Sequence, residues 1–259
     1  MAAPEKMQVY DSQSEAYHRA FQVFLEHTDQ KTNARTRLDR LVQDLPARRT
    51  FVDAGAGNGQ VTAWFVERFE RTIAIEPSPS LSADLRHTCP DAEVIQTRIL
   101  EAEPAVAADL VLCSHVLYYI DQSEWPAHAA RMASWLSPEG ALIIVLQNHE
   151  TDCMRMLEAF HGRRFDLSAL ANEFAQKHAS RYRVERELVP AHIVTADGAS
   201  AYTIAEFMLN LLPMPNPPAR SRLEKYVDDH FRASGGGFRF SCHQDFLVIR
   251  PHEERSRPS

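Results

Sequence analysis

Short apolar runs alternate along this chain with stretches in which apolar residues return every third or fourth position. Residues 50–54, 71–76, 92–96, 109–114 and 141–146 are the apolar runs. Each has the length of a strand, and the fourth is apolar almost throughout, the pattern of a strand buried on both faces. Between them lie helical patterns. Val61, Trp64, Phe65 and Phe69 recur at three and four and predict a helix from residue 60. Ser78 followed by Pro79 reads as an N-cap and first helical position, so a helix is expected over 79–88. Residues 125–136 predict another helix, and Ser137, Pro138, Glu139 and Gly140 predict a turn. Alternation of this kind implies a parallel sheet with right-handed crossovers.

The two flanks of that core read differently. Tyr17, Phe21 and Phe24 form one face of an N-terminal helix behind the cap-forming Ser12 and Ser14, and a second helix is expected over 32–45, ending before Pro46. Past residue 146, helices are expected near 151–160, 168–179, 199–212 and 221–231. The alternating run 182–189 reads as a half-exposed strand, and Pro213 to Pro218 form a loop that no helix can cross. Gly235, Gly236 and Gly237 then turn into one long final strand over 238–249.

The chemistry concentrates at the end of the first strand. In FVDAGAGNGQVT at 51–62, Asp53 leads Gly55, Gly57 and Gly59, which are three of only nine glycines in the chain. Glycine suits a strand-to-helix turn that takes positive φ or that a ligand approaches along the backbone. Glu76 closes the second strand, about 20 residues on, where α/β nucleotide sites place a carboxylate on the ribose hydroxyls. The spacing is GxGxG, whereas pyrophosphate binders use GxGxxG, so a cofactor with a ribose and no pyrophosphate fits better. Asp53, the glycines and Glu76 together resemble the first motifs of class I S-adenosylmethionine (SAM) dependent methyltransferases.

Composition removes other classes. The net charge of −7 comes without a basic run, which argues against nucleic acid. No apolar run approaches the ~20 residues of a spanning helix, and the first residues lack an apolar signal core, so neither a membrane partner nor export is expected. Cys89, Cys113, Cys153 and Cys242 are widely spaced with no CxxC pair, so no metal site or disulfide framework is expected. The expectation is a cytoplasmic monomer.

One family is resembled over nearly the full length. The stretches AFQVFLEH at 20–27, Glu76-Pro77-Ser78, VLYYID at 116–121, LIIV at 142–145 and FLVI at 246–249 are similar, in the same order, to those of histamine N-methyltransferase. The resemblance implies a Rossmann-like, seven-stranded class I methyltransferase sheet with an antiparallel last strand. One domain is expected: N-terminal helices (1–46) that serve as a lid or as plain packing, a SAM-binding core (47–150), substrate-side helices with strand six (151–234), the last strand (235–250) and a polar tail (251–259) whose composition reads as disordered. Expected around SAM, whose product is S-adenosylhomocysteine, are Tyr17, Asp53, Gly55, Gly57, Gly59, Glu76, Pro77, Ser78, Leu81, Thr97, Ser114 and His115. Expected around the acceptor are Tyr17, Phe21, Gln30, His115, Tyr119, Asn148, His149, Phe207 and Cys242.

The acceptor itself is predicted to differ from histamine. Gln30 stands where that family has a glutamate, with Asp29 adjacent, while His115 and Cys242 replace two amide side chains. His115 and Tyr119, four residues apart after the fourth strand, are the candidate catalytic pair: a proton acceptor and a ring that orients the nucleophile. No metal is required for the transfer. The reading is therefore N-methylation of a small amine or nitrogen heterocycle. An oxygen- or carbon-directed methyltransferase needs only another acceptor pose, and methylation of protein or a SAM-binding regulator without turnover also stay open.

Overall fold

A computed structural model describes residues 5–10 and 14–252. The expected cap Ser12 and residues 253–259 of the expected tail lie outside the described residues. In chain order the elements are α1 (Glu15–His27), α2 (Gln30–Gln43), β1 (Thr50–Ala54), β2 (Arg71–Ile75), α3 (Pro79–Thr88), β3 (Glu93–Ile95), β4 (Ala108–Ser114), α4 (Trp125–Ala133) and β5 (Leu136–Gln147). Then follow α5 (Asp152–His161), α6 (Leu167–His178), β6 (Tyr182–Val189), β7 (His192–Thr195), α7 (Gly198–Leu209), α8 (Arg220–Phe231), β8 (Phe238–Ser241) and β9 (Gln244–Pro251). Pro251 thus ends a strand, where a disordered tail was expected to begin.

The chain divides into two compact units. One comprises Arg35–Leu146, Leu167–Glu187 and Asp245–Ser259. Its centre is a seven-stranded mixed sheet in the order β3-β2-β1-β4-β5-β9-β6 with flanking helices, the Rossmann-like methyltransferase fold. β3, β2, β1, β4 and β5 are mutually parallel, so their carboxyl ends share one edge. β1 and nearly all of β4 are buried, as continuous apolar runs require. The other unit comprises Met1–Ala34, Gln147–Asp166 and Leu188–Gln244. Its core packs Phe24, Met156, Ile204, Phe207, Met208 and Phe231 beside the two-stranded sheet of β7 and β8.

Local signals explain most of these elements. Ser14 caps α1 by accepting the Tyr17 N–H, and Ser78 caps α3 with Pro79 in its first turn. Three expectations fail for physical reasons. The helix predicted after the glycine turn is a pair of 3-10 turns, 62–64 and 66–68, broken at Phe65 (ψ −11°), in a run of aromatic and β-branched residues of weak helix propensity. The turn predicted at 137–140 is absorbed into β5 as a bulge, where buried Ser137 donates to Asp109 and the register shifts between Ala108 and Leu110. The single long final strand is two strands. Alternating Phe238 and Phe240 suit β8, which is covered on one face and pairs antiparallel with β7, whereas the continuous Phe246 to Ile249 suit β9 in the large sheet.

Candidate active site

The parallel register gathers the expected cofactor residues along one edge. Asp53 lies in the last two residues of β1, Glu76 follows β2, Thr97 follows β3, and Ser114 ends β4. Open α/β sheets bind ligands outside such carboxyl ends. The glycine turn is pinned there because the N–H groups of Gly55 and Ala56 both donate to the Ile75 carbonyl, at 2.8 and 3.0 Å. Glu76 holds it from the other side, its carboxylate accepting from the Gly57 N–H (3.0 Å) and the Ser78 N–H (2.8 Å). Leu81 donates its N–H to Ser78 Oγ, Thr97 donates its hydroxyl to Glu101, and Pro77 is exposed beside them.

The three glycines do different work. A Cβ on Gly55 would lie 2.4 Å from Val116 and one on Gly59 2.8 Å from the end of Leu85, and φ of +85° and +86° strains any side chain at both positions. Gly57 has φ +58° and nothing within 4 Å of the place a Cβ would take. That bare backbone, its N–H held by the Glu76 carboxylate, forms a cradle with room for a ribose-bearing cofactor. Asp53 is buried, and its carboxylate accepts the Thr62 hydroxyl at 2.6 Å. Burial raises its pKa to about 7, opposed by the Thr62 hydrogen bond and reinforced by the nearby Glu76 charge. Thr62 was missed from the sequence because nothing in its spacing marks it as a partner of Asp53.

His115 takes φ 59°, an unusual value for a residue other than glycine, while its N–H donates to Val145 O at 2.9 Å. The 3-10 turn 117–119 that follows sets its ring against Tyr118, with centroids 5.9 Å apart and planes 21° apart. Tyr119, 66% exposed, was expected to share a face with His115 on helical spacing; the turn gives Tyr118 that place.

The expected acceptor residues of the other unit fall into two groups. Phe207 lies 5.5 Å from Tyr17 and 5.6 Å from Phe21, ring centre to ring centre. Burial raises the Tyr17 pKa, so its phenol stays neutral. In the polar group, buried Gln30 donates its amide to Cys242 O at 2.9 Å, and Thr28 Oγ1 lies 3.5 Å from Cys242 Sγ. Burial pushes the Cys242 thiol up to about 12, so it is protonated. The Asn148 N–H donates to His243 O, and His149 Nδ1 lies 3.3 Å from Asp166. Thr28 and His243 were not anticipated; isolated polar residues in helical or strand flanks carry no pattern of their own.

The sheet has the Rossmann-like methyltransferase fold, with Asp53, the glycine turn and Glu76 at the carboxyl ends of its first two strands. The family described as "Methyltransferase domain" matches residues 25–187, and the chain belongs to it. A trans-aconitate 2-methyltransferase of Acidovorax sp. (strain JS42) is 30% identical over 139 residues, which are 50% of this chain and 52% of that protein. The chain thus matches about half the length of such curated relatives. The N-methyltransferase NodS of Bradyrhizobium japonicum WM9, solved with S-adenosylhomocysteine, superposes with a TM-score of 0.55 at 14% identity, covering 93% of this chain and 100% of NodS. A SAM-dependent methyltransferase of Leishmania major gives a TM-score of 0.53 at 10% identity over 94% and 86% of the two chains. These structures share the fold. The resemblance to histamine N-methyltransferase is not what these relatives carry.

Proposed function

We propose that this protein transfers the methyl group of SAM to a small molecule, and that the acceptor atom is a nitrogen. The observation that carries the transfer is the cradle at Gly57 with Glu76 beside it; the aromatic group of Tyr17, Phe21 and Phe207 supports a compact acceptor with a planar or cationic face. When bound, SAM supplies a sulfonium methyl group, and the acceptor lone pair forms the new bond as the carbon–sulfur bond breaks. The protein's task is then to hold the acceptor in line and keep water out. His115 takes the proton that a methylated amine must release. A second reading is methylation of a carboxylate oxygen, favoured by the relatives named trans-aconitate 2-methyltransferases.

The test is turnover of methyl-labelled SAM against small amines, nitrogen heterocycles and carboxylic acids, with S-adenosylhomocysteine as the readout. An alkali-stable product whose label is located on nitrogen by mass spectrometry and NMR supports nitrogen. Label lost as methanol identifies an ester and the oxygen reading. SAM binding without S-adenosylhomocysteine from any small acceptor overturns the proposal in favour of a regulatory SAM-binding protein. Histamine is expected to be a poor acceptor, since Gln30 and Cys242 offer no carboxylate to its ammonium.

A further inference from the structure

We propose that Lys31 is the specificity residue for a carboxylate carried by the methyl acceptor, a deepening that rests on the small-molecule reading above. Lys31 stands in the first turn of α2, which holds no acidic residue to balance it. There the aligned peptide dipoles present their positive end and disfavour a cation. The side chain is also half-buried, and burial lowers its pKa.

The protein offers this cation little in return. Among the described residues Nζ has no hydrogen-bond or ion-pair partner and lies over the Phe21 ring, 5.6 Å from its centroid. The carboxylates close in sequence are engaged elsewhere: Glu26 accepts from Gln22 Nε2, and Asp29 accepts the His192 N–H. Lys225, by contrast, has Asp229 at 2.7 Å. A cation held in a helix's first turn, partly desolvated and, among the described residues, without a counter-ion, favours an anion brought by a ligand.

Two features set the chemical class of that anion. Phe21 belongs to the aromatic group proposed to hold the acceptor, so cation and planar surface meet at one side chain. A single lysine neutralises one charge, which suits a carboxylate; a phosphate dianion would keep one charge uncompensated. The inferred acceptor therefore has a planar body and a carboxylate, whichever of its atoms receives the methyl group.

Phenylacetate, phenylacetamide and phenethylamine are suitable probes, measured by calorimetry on the full chain with S-adenosylhomocysteine present. The parental protein should bind phenylacetate about tenfold to a hundredfold more tightly than phenylacetamide, the scale of a hydrogen bond to a charged group. Lys31→Met should level the two, and Lys31→Arg should keep part of the preference. Phenylacetate should raise the melting temperature of the parental protein and not that of Lys31→Met. SAM affinity should be equal in all three proteins, which verifies their fold. Equal binding of acid and amide by the parental protein, a preference that survives in Lys31→Met, or no binding of any probe while SAM still binds would each overturn the assignment. Acid preference without turnover of any acceptor would instead refute the catalytic reading and leave the Lys31 site standing.

Discussion

At the scale of single residues, Glu76 and His115 make separable predictions. Both Glu76 oxygens accept backbone N–H groups, so the side chain fixes the glycine turn in addition to the ribose contact proposed for it. Glu76→Ala should weaken SAM binding by about 1.5–3 kcal/mol, read by calorimetry; unchanged affinity would remove Glu76 from the site. His115 is constrained by its backbone, because φ 59° is tolerated by asparagine far better than by alanine. His115→Asn should therefore fold normally, and a steep fall in turnover in that variant would mark the imidazole as the proton acceptor. Near-parental turnover with an unchanged pH profile would reduce His115 to a positioning residue. Asp53 and Glu76 were legible in the sequence because each ends an apolar run at a strand terminus. Thr62, His243 and Lys31 were not, since their meaning comes from partners that spacing does not reveal.

Among elements, the glycine turn separates packing from binding. Gly55→Ala drives a methyl group into Val116 and strains a backbone at φ +85°, so it should lower the melting temperature, with partial rescue by Val116→Ala. Gly57→Ala meets open space and suffers only the backbone cost, and should fold yet bind SAM poorly. Parental SAM affinity in a folded Gly57→Ala protein would mean that the cradle is not the cofactor site. The sequence was informative wherever the signal was local: Ser78 before Pro79 placed α3, and the continuous run 109–114 placed β4. It misled where tertiary pairing overrode local character. Ser137 to Gly140 look like a turn, yet the Ser137 hydroxyl on Asp109 and the backbone of Gly140 against Ala108 O draw them into β5. β7 is four residues long, too short for its alternation to register before β8 is known to pair with it.

For the whole molecule, the division into two units was not legible, because each unit is assembled from three separated segments while sequence reading cuts a chain into consecutive pieces. The large sheet was legible as a class, and its electrostatics give a stability prediction with opposite signs at two buried carboxyls. Burial raises Asp53 from 3.8 to about 7, so the fold favours its protonated form. That contribution is complete below the unfolded pKa and is lost as pH rises through about 7. Asp109 behaves in the reverse way. Burial pushes it up, but hydrogen bonds from the Arg49 side chain and N–H, the Ser137 hydroxyl and the Thr50 N–H outweigh burial and hold it below 3.8. Its contribution is present above the unfolded pKa and is lost as pH falls through the depressed folded value. Denaturant unfolding across acidic to neutral pH should resolve the two. Asp53→Asn keeps an oxygen for the Thr62 hydroxyl and cannot ionise, so its stability relative to the parental protein should climb steadily from mildly acidic pH towards neutrality. Asp109→Asn should be destabilised at neutral pH, with a deficit that shrinks as the solution is acidified. A pH-independent difference for Asp53→Asn would show that its carboxyl is already ionised in the folded protein, and that Thr62 compensates its burial in full.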